Sequence, residues 1–267
     1  MTVAGPDGAA ERRDHLAAEE PMEIRVGGLG TEPEPLVVTM RTPGDDFELA
    51  AGFLCTEGLV ASPGEIDKIA YCVGPDGVQE YNVVTVTLRR EWDPVLRRQF
   101  LSTSSCGVCG KASIDDVEVR CAPVGPGPVV TRAVIAALPD RLRVAQKVFD
   151  DTGGLHAAGL FTAGGDLVSA REDVGRHNAL DKLVGEAFLA GRLPLADDVL
   201  MVSGRVSFEI VQKAAVAGIP IVAAVSAPSS LAVDAARRFN MTVVGFVRDG
   251  GFNVYCGPER VDLEGGG

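Results

Sequence analysis

At 267 residues the chain is long enough for one large domain or two modest ones with a buried core. A hydrophobic fraction of 46% and a charged fraction of 23% are ordinary for a globular protein, and no apolar run reaches the roughly 18 residues of a membrane span. The formal net charge of −12 argues against broad contact with nucleic acid, whose phosphates want a basic face, yet leaves room for a locally positive pocket.

Residues 1–20 carry Glu11, Arg12, Arg13, Asp14, Glu19 and Glu20 and no apolar signal core, so they read as a disordered leader on a cytoplasmic protein. Residues 21–128 are predicted to form a smaller β-rich domain. Met22–Val26 and Leu36–Arg41 read as strands, and Asp45 as the N-cap of a helix on which Phe47, Ala50, Phe53 and Leu54 recur before Gly58. Residues 66–73 and 81–88 flank Gly74-Pro-Asp-Gly77 as a β-hairpin. Residues 101–110, Leu-Ser-Thr-Ser-Ser-Cys-Gly-Val-Cys-Gly, are too polar and glycine-rich for a buried element and read as a solvent-reachable loop. The Pro/Gly alternation at 123–128 marks a domain boundary.

Residues 129–262 change character, and 263–267 read as a disordered tail. Two helices are predicted over 131–138 and 140–152, then a hairpin of 156–162 with 166–170. Leu180, Leu183, Val184, Ala187 and Phe188 fall on one face of an amphipathic helix that stops at Gly191. Continuous apolar strands at 199–202, 219–225 and 242–247, separated by helices starting near Val206 and Ser229, imply a buried, largely parallel sheet flanked by helices. Loops at the carboxyl ends of such strands gather on one rim, where ligands bind. Here they are Ser203-Gly-Arg205, Ser226-Ala-Pro-Ser-Ser230 and Arg248-Asp-Gly-Gly251, the first two leading into helix starts. Each is an ordinary turn or cap taken alone; together, with Ser203, Arg205 and Arg248, they point to a phosphate-bearing ligand. The polar run Arg171–Lys182 at a strand-to-helix junction has both a capping role for Asp173 and a ligand-lining role for Arg176 and His177 open to it.

Of six cysteines, Cys55, Cys72, Cys121 and Cys256 stand singly in or beside apolar segments and read as small buried hydrophobes. Cys106 and Cys109 form a Cys-x-x-Cys pair. A structural zinc would need two further ligands, and the chain has no second such pair and only His15, His156 and His177. No structural metal is expected. A thiol–disulfide centre and a sulfur carrier both remain open on chemistry alone; a mobile loop with small neighbours and Lys111 beside the pair suits the carrier better.

Ser102–Lys111, Arg171–Lys182, Ser203–Ala214, Ser226–Ala235 and Gly245–Tyr255 resemble, in order, the formate dehydrogenase accessory sulfurtransferase family, FdhD, in a match running from about Phe47 to Arg260. The resemblance implies an α/β fold with a cytidine-deaminase-like three-layer second half, and a homodimer. It also implies transfer of sulfur from a cysteine desulfurase to the molybdenum cofactor, bound as a substrate in its bis(molybdopterin guanine dinucleotide) form, for the benefit of formate dehydrogenase. On that likeness Cys106 carries the persulfide, Cys109 assists, and Phe246, Val247, Arg248, Asp249, Gly250 and Gly251 contact the cofactor. Deaminase chemistry is not expected, because His156-Ala-Ala158 lacks the catalytic glutamate and the cysteine pair precedes the histidine without a proline. The rival reading is a chaperone that holds the cofactor without transferring sulfur.

Overall fold

A computed structural model describes residues 1–6, 8–74, 77, 79–92 and 122–264; Cys106, Cys109 and Cys121 lie outside the described residues. Within residues 1–20, expected as a disordered leader, strands β1 (Thr2–Gly5) and β2 (Gly8–Glu11) pair antiparallel. The hairpin's residues are mostly exposed, so this pairing leaves no trace in hydrophobic patterning.

Strand β3 (Glu20–Gly28) lies at the centre of a four-stranded sheet of order β4-β3-β6-β5, with β4 (Glu34–Arg41), β5 (Ile66–Val73) and β6 (Gln79–Leu88). The expected β5–β6 hairpin forms, and β3 pairs parallel with β6. Period-two alternation puts Met22, Ile24 and Val26 of β3 and Val84, Val86 and Leu88 of β6 fully inside. Helix α1 (Asp46–Thr56) follows β4; Asp45 stands at its N-cap as expected, but in the left-handed region at φ 55° and with no side-chain cap bond.

After β7 (Val130–Thr131), one helix, α2 (Arg132–Ala145), runs straight through Pro139 where two helices were expected, and the break falls at Gln146 before α3 (Lys147–Thr152). Proline inside a helix costs about 3 kcal/mol. Ile135, Leu138 and Leu142, buried on one face of α2, offset that at roughly 1.5–3 kcal/mol each. The second sheet has the order β13-β12-β11-β10-β8-β9, built from β8 (His156–Thr162), β9 (Leu167–Asp173), β10 (Asp198–Val202), β11 (Ile221–Ala224), β12 (Thr242–Arg248) and β13 (Gly251–Cys256). Only β10–β11 and β11–β12 are parallel; β8 and β13 pair antiparallel with their neighbours, so the sheet is mixed rather than largely parallel. The antiparallel partners enter through hairpins, β8–β9 and β12–β13, the second closed by Asp249-Gly250 with φ of 53° and 74°.

Helices α4 (Arg176–Leu189), α5 (Phe208–Val216) and α6 (Ser230–Arg238) pack on one face of this sheet and α2 on the other, giving three layers. The apolar cluster beneath α4–α6 continues without a break into the inner face of the four-stranded sheet, so residues on both sides of the 128/129 boundary share one core. Helices α1 and α4 form its seam and cross at glycines. A Cβ on Gly52 would fall 1.8 Å from the carbonyl oxygen of Asp181, and one on Gly185 would fall 1.9 Å from that of Glu48. No side chain fits between the two backbones. The short β14 (Val261–Asp262) pairs with β7 and returns the chain to the start of α2.

Candidate functional site

Parallel pairing of β10, β11 and β12 brings their carboxyl ends to one edge, as the sequence pattern demands. The antiparallel β8–β9 pair adds the start of β8 and the end of β9 to the same edge, through the His156–Asp173 and Ala158–Val202 partnerships. His156, Arg176, His177, the Ser203–Arg205 loop and the Ser226–Ser230 loop therefore line one rim. A β-bridge between Val206 and Pro228 joins the last two loops, and the Phe246 N–H donates to Ser226 O at 3.2 Å, tying the β12 end to them. Ser207 is the N-cap residue of α5, and the Ser229 hydroxyl caps α6 by accepting from Ala232 N at 3.2 Å. The third loop, Arg248–Gly251, leads into β13 rather than a helix.

The expected site residues divide by what their side chains touch. Ser203 Oγ accepts from Ala157 N at 2.9 Å, so that hydroxyl holds β10 to β8. Arg205, Arg248, Asp249, Gly250 and Gly251 are exposed, and the Arg248 guanidinium lies 5.5 Å from the centre of the half-buried Phe246 ring. Val247 is fully buried against the α2 layer, which leaves only its backbone for a ligand. His177 Nε2 stands 3.2 Å from Ser207 Oγ and 3.9 Å from Glu209. Burial, then the Arg176 charge, pushes its pKa down to about 4, so the ring is neutral near pH 7. His156 is lowered by the same two causes in the same order.

Most of the Arg171–Lys182 run is structural. Arg171 forks onto Glu48 of α1 at 2.6 and 3.0 Å, and Glu172 accepts from the Val148 and Phe149 N–H groups at the start of α3. Asp173, fully buried, accepts from the backbone N–H groups of Thr42 and Gly175, from Asn178, and from Lys182 Nζ at 2.8 Å. Gly175, not Asp173, is the N-cap of α4, so Asp173 supports that helix start from two residues before it. Asn178 also donates to Met40 O, and Lys182 to Thr42 O. The run thus clamps the turn between β4 and α1, and leaves Arg176 and His177 facing the rim. His156 was not singled out as a rim residue from sequence, because its place depends on the antiparallel seating of β8.

Cys55 and Cys256 are buried as expected, with the Cys55 thiol pushed up to about 12 by burial and then by Asp181; Cys72 is half-buried, 4.0 Å from Arg25 Nη1. Cys55 is therefore protonated and a poor nucleophile. Among the described residues no group of three or more His, Cys, Asp or Glu side chains could hold a metal ion, and no helix is long and apolar enough to cross a membrane. The rim gathers three arginines, Arg176, Arg205 and Arg248, with the two imidazoles and glycine-rich backbone.

The sequence of residues 17–262 matches the model of the FdhD/NarQ family. A sulfur carrier protein FdhD from Streptomyces coelicolor is 56% identical over 96% of this chain and 93% of its own, and one from Mycobacterium tuberculosis is 49% identical over 96% and 94%. A crystal structure assigned as a formate dehydrogenase accessory protein, from Desulfotalea psychrophila, superposes with a TM-score of 0.73 at 28% identity, covering 98% of this chain and 96% of that one. With a match that spans both sheets, the clamp and the rim, the chain belongs to the FdhD/NarQ family.

Proposed function

We propose that this protein is a sulfurtransferase that takes sulfur from a cysteine desulfurase and delivers it to the molybdenum cofactor needed by formate dehydrogenase. The observation that carries this reading is near-full-length similarity to proteins named sulfur carriers, in a chain that keeps Cys106 and Cys109 in a hydroxyl- and glycine-rich segment. In the first step the Cys106 thiolate attacks the outer sulfur of the desulfurase persulfide. A new S–S bond forms on Cys106, the old one breaks, and the desulfurase cysteine leaves as thiolate. Cys109 assists release of that sulfur to the acceptor.

The acceptor is the bis(molybdopterin guanine dinucleotide) form, a substrate rather than a resident group. The rim fits it: its pyrophosphates call for cationic donors, supplied by Arg205 and Arg248, and for close backbone approach, supplied by Asp249–Gly251. Ser203, His177 and the ring of Phe246 flank that surface. The reading includes a cytidine-deaminase-like arrangement of the second half, a homodimer and a cytoplasmic location. It is tested by complementation. In cells lacking the native protein, the wild-type chain should restore formate dehydrogenase activity and Cys106→Ala should not, at equal protein level. Full restoration by Cys106→Ala would favour the chaperone that only holds the cofactor.

A further inference from the structure

One cation of the Arg171–Lys182 run is left over when the structural bonds are assigned. Arg171 is held by Glu48, Lys182 by Asp173 and Thr42, and the neighbouring carboxylate of Asp181 by Lys213 and Thr56. Arg176 makes no hydrogen bond or ion pair with another described residue, and its Nε is shut away from water with no acceptor. A charged donor in that state is unfavourable unless something beyond the described residues completes it.

The space beside Arg176 is shaped by three separate elements. His156 opens β8, Gly204 follows β10, and His177 follows Arg176 in α4. A Cβ on Gly204 would lie 3.3 Å from His156 Nδ1 and 3.8 Å from Arg176 Cδ, so the bare Cα keeps the gap between the two side chains open. Burial and the Arg176 charge hold both imidazoles neutral, so each retains one N–H to donate and adds no competing charge. Of the nearby carboxylates, Asp173 is held by Lys182, and Glu209 faces His177 Nε2 at 3.9 Å and feels the Arg176 charge without forming an ion pair with it.

We propose that Arg176 is a phosphate-binding residue of the rim, receiving a phosphate oxyanion over Gly204 between His156 and His177. This deepens the reading of the rim as the cofactor site and rests on it. Arg205 and Arg248, both exposed, serve the outer part of the same ligand, and Arg176 the inner.

The test is calorimetric titration of the full-length protein with guanosine diphosphate, guanosine and inorganic pyrophosphate, comparing wild type with Arg176→Ala and Arg176→Lys. Expected is a ten- to hundredfold loss of diphosphate and pyrophosphate affinity in Arg176→Ala, partial recovery in Arg176→Lys, and no change for guanosine. Because Arg176 makes no hydrogen bond or ion pair with a described residue, the unliganded Arg176→Ala variant should melt no lower than wild type. Gly204→Ala, which puts a methyl group into the gap, should weaken pyrophosphate while leaving guanosine unchanged. Wild-type diphosphate affinity in Arg176→Ala would overturn this assignment and leave the rim reading standing. A wild-type protein that binds neither diphosphate nor pyrophosphate would overturn both. Loss of binding together with a lowered melting temperature in both variants would make Arg176 a structural residue and refute the proposal.

Discussion

Replacing Lys213 with methionine should be among the most damaging single changes in the second half. Lys213 Nζ lies 2.9 Å from Thr56 Oγ1, 2.9 Å from Glu57 Oε1, and 3.0 and 3.1 Å from the two oxygens of Asp181, with side-chain exposure of 7% for the lysine and 2% for the aspartate. Burial works against its charge, but the carboxylates of Asp181 and Glu57 outweigh it and raise its pKa. The cluster joins the end of α1, the middle of α4 and the end of α5, so it holds the helix that follows the Ser203–Arg205 loop. Methionine keeps the bulk and removes the charge, leaving Asp181 buried with Thr56 as its remaining partner at 2.7 Å. Breaking a buried pair from one side costs about 3–5 kcal/mol, whereas removing both charges together is far milder. The double variant Asp181→Leu/Lys213→Met should therefore be more stable than the sum of the two single changes predicts, by about 2–3 kcal/mol. Urea denaturation followed by circular dichroism, with slopes unchanged, reads all four corners of the cycle. A cost below about 1 kcal/mol for Lys213→Met, or strict additivity in the double variant, would mean that Lys213 and Asp181 are not a coupled buried pair.

Gly52→Ala should destabilise by at least about 1–3 kcal/mol in a thermal or urea melt, since its methyl meets the Asp181 backbone rather than a side chain that can turn away; an unchanged midpoint would mean the helices do not cross there. His177 titrates near 4 in the fold against an ordinary 6.5, so the unfolded chain binds more protons between those values. Its contribution to stability is full above pH 6.5 and is lost as the pH falls towards 4; His177→Gln should flatten the fall in melting temperature over that window, and an identical fall would contradict the assignment. Arg248→Ala should weaken nucleotide binding by roughly ten- to hundredfold while persulfide loading of Cys106 stays normal, because an exposed arginine–phosphate bond contributes to the ligand and not to the core. Equal loss of both would end the division between carrier segment and rim.

The strands that carry the core were legible because their burial alternates over much of β3 and β6 and is nearly continuous in β10 and β12. Long-range pairing was not. Nothing local in His156–Thr162 distinguishes antiparallel from parallel seating next to β10, and that choice puts His156 on the rim. Gly52 and Gly185 lie 133 positions apart, and only the folded crossing shows why neither can carry a side chain. The polar run at 171–182 announced a junction, yet its split into a clamp and an Arg176 without a hydrogen-bond partner among the described residues depends on Glu48, Thr42 and Thr56 from the other sheet's side. Pro139 misled because burial of Ile135, Leu138 and Leu142 overrides a local helix breaker. Asp249-Gly250 could have revealed the β12–β13 hairpin, since that dipeptide favours a two-residue turn with positive φ.

Carriage of sulfur on Cys106, as proposed, can be read directly by mass. The protein should be incubated with a cysteine desulfurase and cysteine bearing isotopically heavy sulfur, the thiols alkylated without reductant, and the peptide spanning Cys106 and Cys109 mapped by mass. One heavy sulfur is expected on Cys106, absent from Cys106→Ala and from samples without desulfurase. Heavy sulfur found instead on Cys55, Cys72 or Cys256, or on no cysteine at all, would contradict it.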